Sequence, residues 1–165
     1  MKTMEKAYFA AGCFWCITPT FRETRGVSRV ISGYSGGTED NPVYEDVKYQ
    51  KTGHREAICI EYNPEVVTYQ QLFDIFLRSV DPYDAGGQFI DRGHSYTLAV
   101  YYLSSAQKQI AEDGIRQLEA DSGQQVFISL EPFSNFYTAE EYHQNYDLKN
   151  PEAFEKELVE SGRKK

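Results

Sequence analysis

A two-residue period stands out first. Glu56 to Tyr62 alternates along a strand, with Glu56, Ile58, Ile60 and Tyr62 on one face and Ala57, Cys59 and Glu61 on the other, and Asn63-Pro64 stops it. Lys6 to Ala11 is a short apolar run and Val27 to Tyr34 a β-branched one, and both read as strands. Tyr96 to Leu103 and Gln125 to Leu130 add two more. A helical period governs Thr68 to Val80, where Tyr69, Leu72, Phe73, Phe76, Leu77 and Val80 fall on one stripe, and Thr68 with Gln71 forms a capping box at its start. Ser104 with Gln107 opens another helix to about Ala120, with Gly123 just past its end. Phe14 to Glu23 is a weaker helix, because Thr18, Pro19 and Thr20 oppose it, and Pro19 is tolerable only in or near the first turn. Gly26 is placed to end that helix, and Thr138 with Glu141 predicts a short helix through about Asp147.

This order, β-α-β, then β-α-β-α-β, then a terminal helix, predicts an α+β fold. The expected form is a two-layer ferredoxin-like plait, a mixed sheet with helices packed on it. A doubly wound parallel sheet is the alternative. Gly33 to Pro42 and Asp81 to Gly87 read as surface loops. At 165 residues the chain makes one domain, expected over 1–150, and 151–165 reads as a helical or frayed tail rich in Glu and Lys.

Composition narrows the function classes. The net charge is −8 and no basic patch is visible, so nucleic acid and anionic membrane are not expected partners. No apolar run approaches the ~20 residues of a membrane span. Met1 to Lys6 has no apolar stretch behind a basic cluster, so a secretory leader is not expected either. The three cysteines, Cys13, Cys16 and Cys59, are too few and odd for a disulfide scaffold and suit the cytoplasm.

Gly12-Cys13-Phe14-Trp15-Cys16 carries the most chemistry. It lies where a strand turns into a helix, and the helix start is expected to lower the Cys13 pKa. Cys13 is then the better-placed nucleophile, with Cys16 one turn on along the same face. Three readings fit a CxxC here. A zinc half-site lacks its second ligand pair, since Cys59, His54, His94 and His143 are scattered. A thiol–disulfide exchange site fits the motif. A peroxide or sulfoxide reductase fits it too, with Phe14 and Trp15 forming an apolar pocket for a group such as a methyl.

The segment resembles the signature of the A-class peptide methionine sulfoxide reductases. The resemblance runs on through Gly33-Tyr34-Ser35-Gly36-Gly37, Asn41-Pro42-Val43-Tyr44, Thr52 to Ala57 and Asp91-Arg92-Gly93-His94-Ser95-Tyr96. It ends with Glu131-Pro132-Phe133 and Ala139 to Tyr146. Cys16 and Thr18 stand where many members carry Gly and Glu, and no cysteine follows Cys59, so the chain looks like a Cys-Phe-Trp-Cys subtype. The resemblance implies reduction of free and peptide-bound methionine (S)-sulfoxide, a repair reaction. A sulfenic acid on Cys13 would be resolved by Cys16 as a disulfide, and an external dithiol, thioredoxin or dithiothreitol, would reduce it in place of any cofactor or metal. The enzyme is expected to be a monomer.

A sulfoxide oxygen leaves badly unless it is hydrogen-bonded and protonated, so the site needs an acid and donors beside the nucleophile. Glu56 is the best acid, because its strand parity puts it on an apolar face where burial raises a carboxyl pKa. The resemblance implies Tyr44 and Tyr96 as phenol donors, Asp91 as an orienting or peptide-binding residue, and His143 with Tyr142 near the pocket wall. Cys59 reads as structural, and His54 and His94 earn no role.

Overall fold

The computed structural model describes residues 4–160. Residues 1–3, part of the segment read for a leader, and 161–165, the end of the predicted tail, lie outside the described residues. Between them run β1 (Glu5–Ala11), α1 (Phe14–Arg22), β2 (Val27–Ser35), α2 (Tyr44–Lys48), β3 (Arg55–Tyr62), α3 (Tyr69–Ser79), β4 (Gly87–Gln88) and β5 (Asp91–Arg92). There follow β6 (Leu98–Tyr102), α4 (Ser105–Ser122), β7 (Ile128–Pro132), β8 (Tyr137–Thr138), α5 (Tyr146–Lys149) and α6 (Pro151–Glu160), with 3-10 turns over His94–Tyr96 and Glu141–His143.

Six strands form one mixed sheet in the order β7-β6-β1-β3-β2-β8, and β4 and β5 form a separate hairpin. All neighbours in the large sheet are antiparallel except β6 and β7. The doubly wound parallel alternative is therefore wrong. The β2–β3 connection carries only the short helix α2 and lets the two strands pair antiparallel, whereas a parallel pair needs a full crossover.

Alternation along each strand sorts the apolar residues into two cores. Phe9, Ile58, Ile60, Tyr62 and Val100 face the helices and meet Phe14, Ile17, Phe21, Leu72, Phe73 and Phe76. Phe9 and Phe76 stack with ring centroids 4.8 Å apart, and burying a ring of this size is worth about 1.5–3 kcal/mol. Tyr8, Ala10, Ala57, Cys59, Ala99 and Tyr101 face the other way, under Phe133 and Phe136. Glu56 and Cys59 thus lie on opposite faces, as the alternation of β3 predicts.

Several boundaries move. Tyr96 sits in a 3-10 turn ahead of β6, and β7 starts three residues later than expected, at Ile128. Pro19 lies inside α1, beyond the first turn that the sequence reading allows it. The helix expected over Thr138 to Asp147 is a two-residue strand, a 3-10 turn and a short helix. It is broken at Asn145, whose φ of 53° is left-handed. The Thr68–Gln71 capping box forms in full. At Ser104 only half does, because Gln107 turns its side-chain oxygen to Leu103 N–H. Residues 151–160 are helical.

Candidate active site

Strand register gathers the site at one end of the sheet. Ala11 at the end of β1 pairs with Leu98 at the start of β6, and Tyr34 near the end of β2 pairs with Glu56 near the start of β3. Gly12, at φ 84°, supplies the left-handed turn that few other residues adopt cheaply and delivers Cys13 to the N-cap of α1. A Cβ on Gly33 would collide with the Phe136 ring and the Tyr137 carbonyl, so that glycine lets β8 lie close beside β2.

Cys13 and Glu56 are both buried. The first free amide of α1, Phe14 N–H, donates to Glu56 Oε1 at 3.1 Å. Burial nevertheless pushes the Glu56 carboxyl up to about 8, with the charge of Asp91 adding to it and the Phe14 and Tyr96 donors opposing it. Glu56 is therefore a protonated acid near neutral pH.

The expectation of a lowered Cys13 pKa is corrected here. The Cys13 thiol is pushed well above the usual range, by its hydrogen bond with Cys16, then by burial, then by the charges of Cys16, Glu56 and Asp91. The helix amide that would have favoured a thiolate is engaged by the Glu56 carboxyl instead.

Tyr44 and Tyr96 close the group. Burial and the nearby Glu56 charge raise both phenols, so both are O–H donors throughout the neutral range. Asp91, on the β4–β5 hairpin, is half-buried and its charge acts on Cys13, Glu56, Tyr44 and Tyr96 alike.

An aromatic cluster adjoins this group. Trp15 stacks on Tyr146 at 3.9 Å, and its indole N–H donates to His143 Nδ1 at 2.9 Å. Phe14 and Tyr44 flank the same imidazole at 5.2 and 4.3 Å between centroids. Burial pulls the His143 pKa down to about 4, so the ring is neutral, and with Nδ1 accepting, its proton is on Nε2. That Nε2 is buried with no hydrogen-bond partner among the described residues. Tyr142, exposed, packs against His143 with ring centroids 4.0 Å apart and the planes tilted by 40°.

Glu140 and Gln144 were not singled out from the sequence. Glu140 accepts from Tyr34 O–H at 2.8 Å and from Tyr44 N–H at 3.0 Å, tying the start of α2 to β2. The Gln144 side chain accepts from Ser32 N–H and donates to the Ser32 and Ala139 carbonyls. Arg22 grips Asp147 through two hydrogen bonds. The segment from Ala139 to Asp147 is thus strapped across α1 and β2. The clue in the sequence was the density of polar residues in Glu140 to Asn145. His54 and His94 are likewise loop fasteners, His54 accepting from Gly37 N–H at 3.1 Å and His94 meeting the Gly53 carbonyl at 3.0 Å.

Among the described residues no group of three or more His, Cys, Asp or Glu side chains is placed to hold a metal ion, and no helix is long and apolar enough to cross a membrane. What the residues offer is a thiol, a neutral acid and two phenol donors grouped beside a cluster of aromatic rings. Such a set suits an apolar group attached to an atom bearing a polarised oxygen.

A family model described as Peptide methionine sulfoxide reductase matches residues 5–165. A peptide methionine sulfoxide reductase MsrA of Bacillus velezensis is 46% identical over 162 residues, which cover 96% of this chain and 91% of that protein. Mxr1 of Saccharomyces cerevisiae, in its reduced form, superposes with a TM-score of 0.85 at 30% identity, over 90% of this chain and 87% of its own. The yeast protein has also been solved in complex with Trx2. Methionine sulfoxide reductase A of Corynebacterium diphtheriae superposes with a TM-score of 0.82 at 30% identity, over 90% and 76%.

Proposed function

We propose, since the chain belongs to the peptide methionine sulfoxide reductase family, that its thiol-dependent reduction of methionine sulfoxide is carried by Cys13, Glu56, Tyr44, Tyr96 and Cys16. The Cys13 sulfur attacks the sulfoxide sulfur. Glu56 gives its proton to the departing oxygen, and the Tyr44 and Tyr96 hydroxyls hold that oxygen as charge develops. The oxygen leaves as water once the thiol's proton has joined it; water then attacks the Cys13 sulfur and the S–S bond breaks with its electron pair on the substrate sulfur, giving a sulfenic acid on Cys13 and methionine and returning a proton to Glu56. The Cys16 thiol then condenses with the sulfenic acid, releasing water and leaving a Cys13–Cys16 disulfide.

The observation that carries this reading is the protonated carboxyl of Glu56, buried beside a buried thiol. A raised thiol and a raised acid both hold their protons at rest. The sulfoxide brings the acceptor for one, and loss of that proton leaves a carboxylate able to take the other. Phe14 and Trp15 wall the methyl group, and Asp91 orients the substrate. His143 offers its Nε2–H to a substrate oxygen, which offsets the roughly 1–3 kcal/mol that an unmet buried donor costs.

Thioredoxin is the proposed reductant, which the pairing of yeast Mxr1 with Trx2 favours, and dithiothreitol would substitute for it. The proposed setting is a cytoplasmic monomer that needs no metal or bound cofactor. Residues 1–150 are read as the catalytic domain and 151–165 as an appended tail. The order β6-β1-β3-β2, with crossovers through α1 and α3, supports a ferredoxin-like plait to which β7 and β8 add the edges.

The test is a stereochemically resolved assay. Donors fixed around one oxygen and a methyl wall on one side define a handed site, so inverting the sulfur separates attack from protonation. Near-exclusive use of the S epimer is expected, and comparable rates on both epimers would defeat the arrangement.

A further inference from the structure

We infer that Gln50 is a positioning residue for sulfoxide reduction: it bolts the end of α2, which carries Tyr44, to the 3-10 turn that carries Tyr96, and so sets the spacing of the two phenol hydroxyls. This rests on the reading of those hydroxyls as the donors that hold the sulfoxide oxygen. Gln50 lies just past α2 with its backbone at φ 63°, a left-handed conformation that a long side chain adopts at a cost and that glycine or asparagine adopts more readily. Such an outlier persists where its surroundings fix it, and here the fixing groups are the contacts of its own side chain.

Both ends of the Gln50 amide are engaged. Oε1 accepts from Ser95 N–H at 3.0 Å, and Nε2 donates to Ser95 Oγ at 2.7 Å. A second Nε2 bond, at 3.0 Å, runs to the Lys48 carbonyl at the end of α2, a group that the helix itself leaves unmet. Ser95 N–H can only donate, so it fixes which way the amide faces. Ser95 is buried and immediately precedes Tyr96 within the turn His94–Tyr96. That turn is shaped around the amide: a Cβ on Gly93, at its start, would lie 2.7 Å from Gln50 Cδ and Nε2.

Tyr44 is the first residue of α2, and Glu140 holds that end through Tyr44 N–H. Gln50 holds the other end and joins it to the turn. The Tyr44 and Tyr96 hydroxyls hydrogen-bond to each other, yet they come from segments far apart in the chain. Their meeting depends on the relative placement of a five-residue helix and a three-residue turn, neither of them a strand of the large sheet. A donor displaced by a fraction of an ångström bonds less well to the charge that develops on the sulfoxide oxygen. The clamp at Ser95 keeps both donors on that one oxygen.

The experiment is single-turnover methionine formation by reduced enzyme under saturating methionine sulfoxide, read as two quantities, the methionine formed per chain and the rate constant. Gln50→Ala should still give one methionine per chain, with the rate constant lowered about tenfold. Gln50→Gly removes the same contacts but suits the left-handed backbone, so it should unfold at a higher temperature than Gln50→Ala and be equally slow. In a Tyr44→Phe, Tyr96→Phe background, where Glu56 still supplies the proton, adding Gln50→Ala should change the rate by less than about twofold. A fall in yield with an unchanged rate constant, a Gln50→Gly enzyme as fast as the parent, or the same tenfold loss in the Tyr44→Phe, Tyr96→Phe background overturns the inference. If Tyr44→Phe with Tyr96→Phe is itself as fast as the parent, the reading beneath the inference fails and takes the inference with it.

Discussion

The indole N–H of Trp15 donates to Nδ1 of His143 across 128 residues of chain, at 2.9 Å. The bond fixes the tautomer of the imidazole and the tilt of the indole together. Burial holds His143 down to about 4, so the acceptor survives throughout the neutral range. His143→Leu should strand the indole donor, at a loss of roughly 1–3 kcal/mol that shows mainly in KM for the sulfoxide. His143→Gln, which keeps an acceptor, should recover part of it. Steady-state kinetics on a short sulfoxide peptide will tell the two apart. A break in the KM profile near pH 6.5 would mean that His143 titrates as an ordinary exposed imidazole and that the pairing is wrong.

Glu56 makes stability itself depend on pH. Its folded pKa of about 8 lies above the usual carboxyl value of 4.5. The folded state therefore binds the extra proton, and its stabilisation is full below about pH 4.5 and is lost as pH rises toward 8. The parent's stability relative to Glu56→Gln should fall by about 1.4 kcal/mol per pH unit inside that window and level off above it. Urea unfolding of both proteins at several pH values reads this difference directly, and the His143 contribution cancels between them. A difference that does not change with pH would show that Glu56 is ionised in the folded protein.

The same substitution separates acid from scaffold in catalysis. Glu56→Gln keeps a hydrogen-bond donor but has no proton to give. Single-turnover methionine formation should slow by about 10²–10⁴-fold. Equal rates at every pH would pass the role of acid to Tyr44 or Tyr96.

Glu140 is expected to act through Tyr44. It holds Tyr44 N–H and Tyr34 O–H together, and these donors, against the opposing effect of burial, keep its carboxyl below the usual range. Glu140→Ala should lower the single-turnover rate while leaving the pH at which Glu56 acts unchanged, and Glu140→Gln should restore part of the rate. A shift in that pH, or no rescue by glutamine, would assign Glu140 a different role.

Much of this arrangement was legible in the sequence. Strand parity separated Glu56 from Cys59, the stripe from Tyr69 to Phe76 announced α3, and the turn at Gly12 placed Cys13 at a helix start. Three features escaped for physical reasons. The cap position of Cys13 suggested an activated thiol, but the amide that would have served it is bonded to a side chain 42 residues away. The segment from Thr138 to Asp147 has helix-capping chemistry in its sequence, yet its polar side chains are spent on α1 and β2. Glu140 carried no signal of its own, because nothing local reveals that Tyr34 and Tyr44 converge on it.

The central claim is that Cys13 reduces the sulfoxide and Cys16, not Cys59, resolves the product. Anaerobic incubation of reduced protein with excess methionine sulfoxide, without any reductant, tests it most directly when methionine and free thiols are counted together. The account predicts one methionine per chain, two thiols lost and a Cys13–Cys16 disulfide by mass spectrometry. Cys13→Ser should give no methionine. Cys16→Ser should give one and then stall with thioredoxin as donor, while Cys59→Ser should behave as the parent. Methionine formed by Cys13→Ser, or sustained thioredoxin-driven turnover by Cys16→Ser, would contradict it.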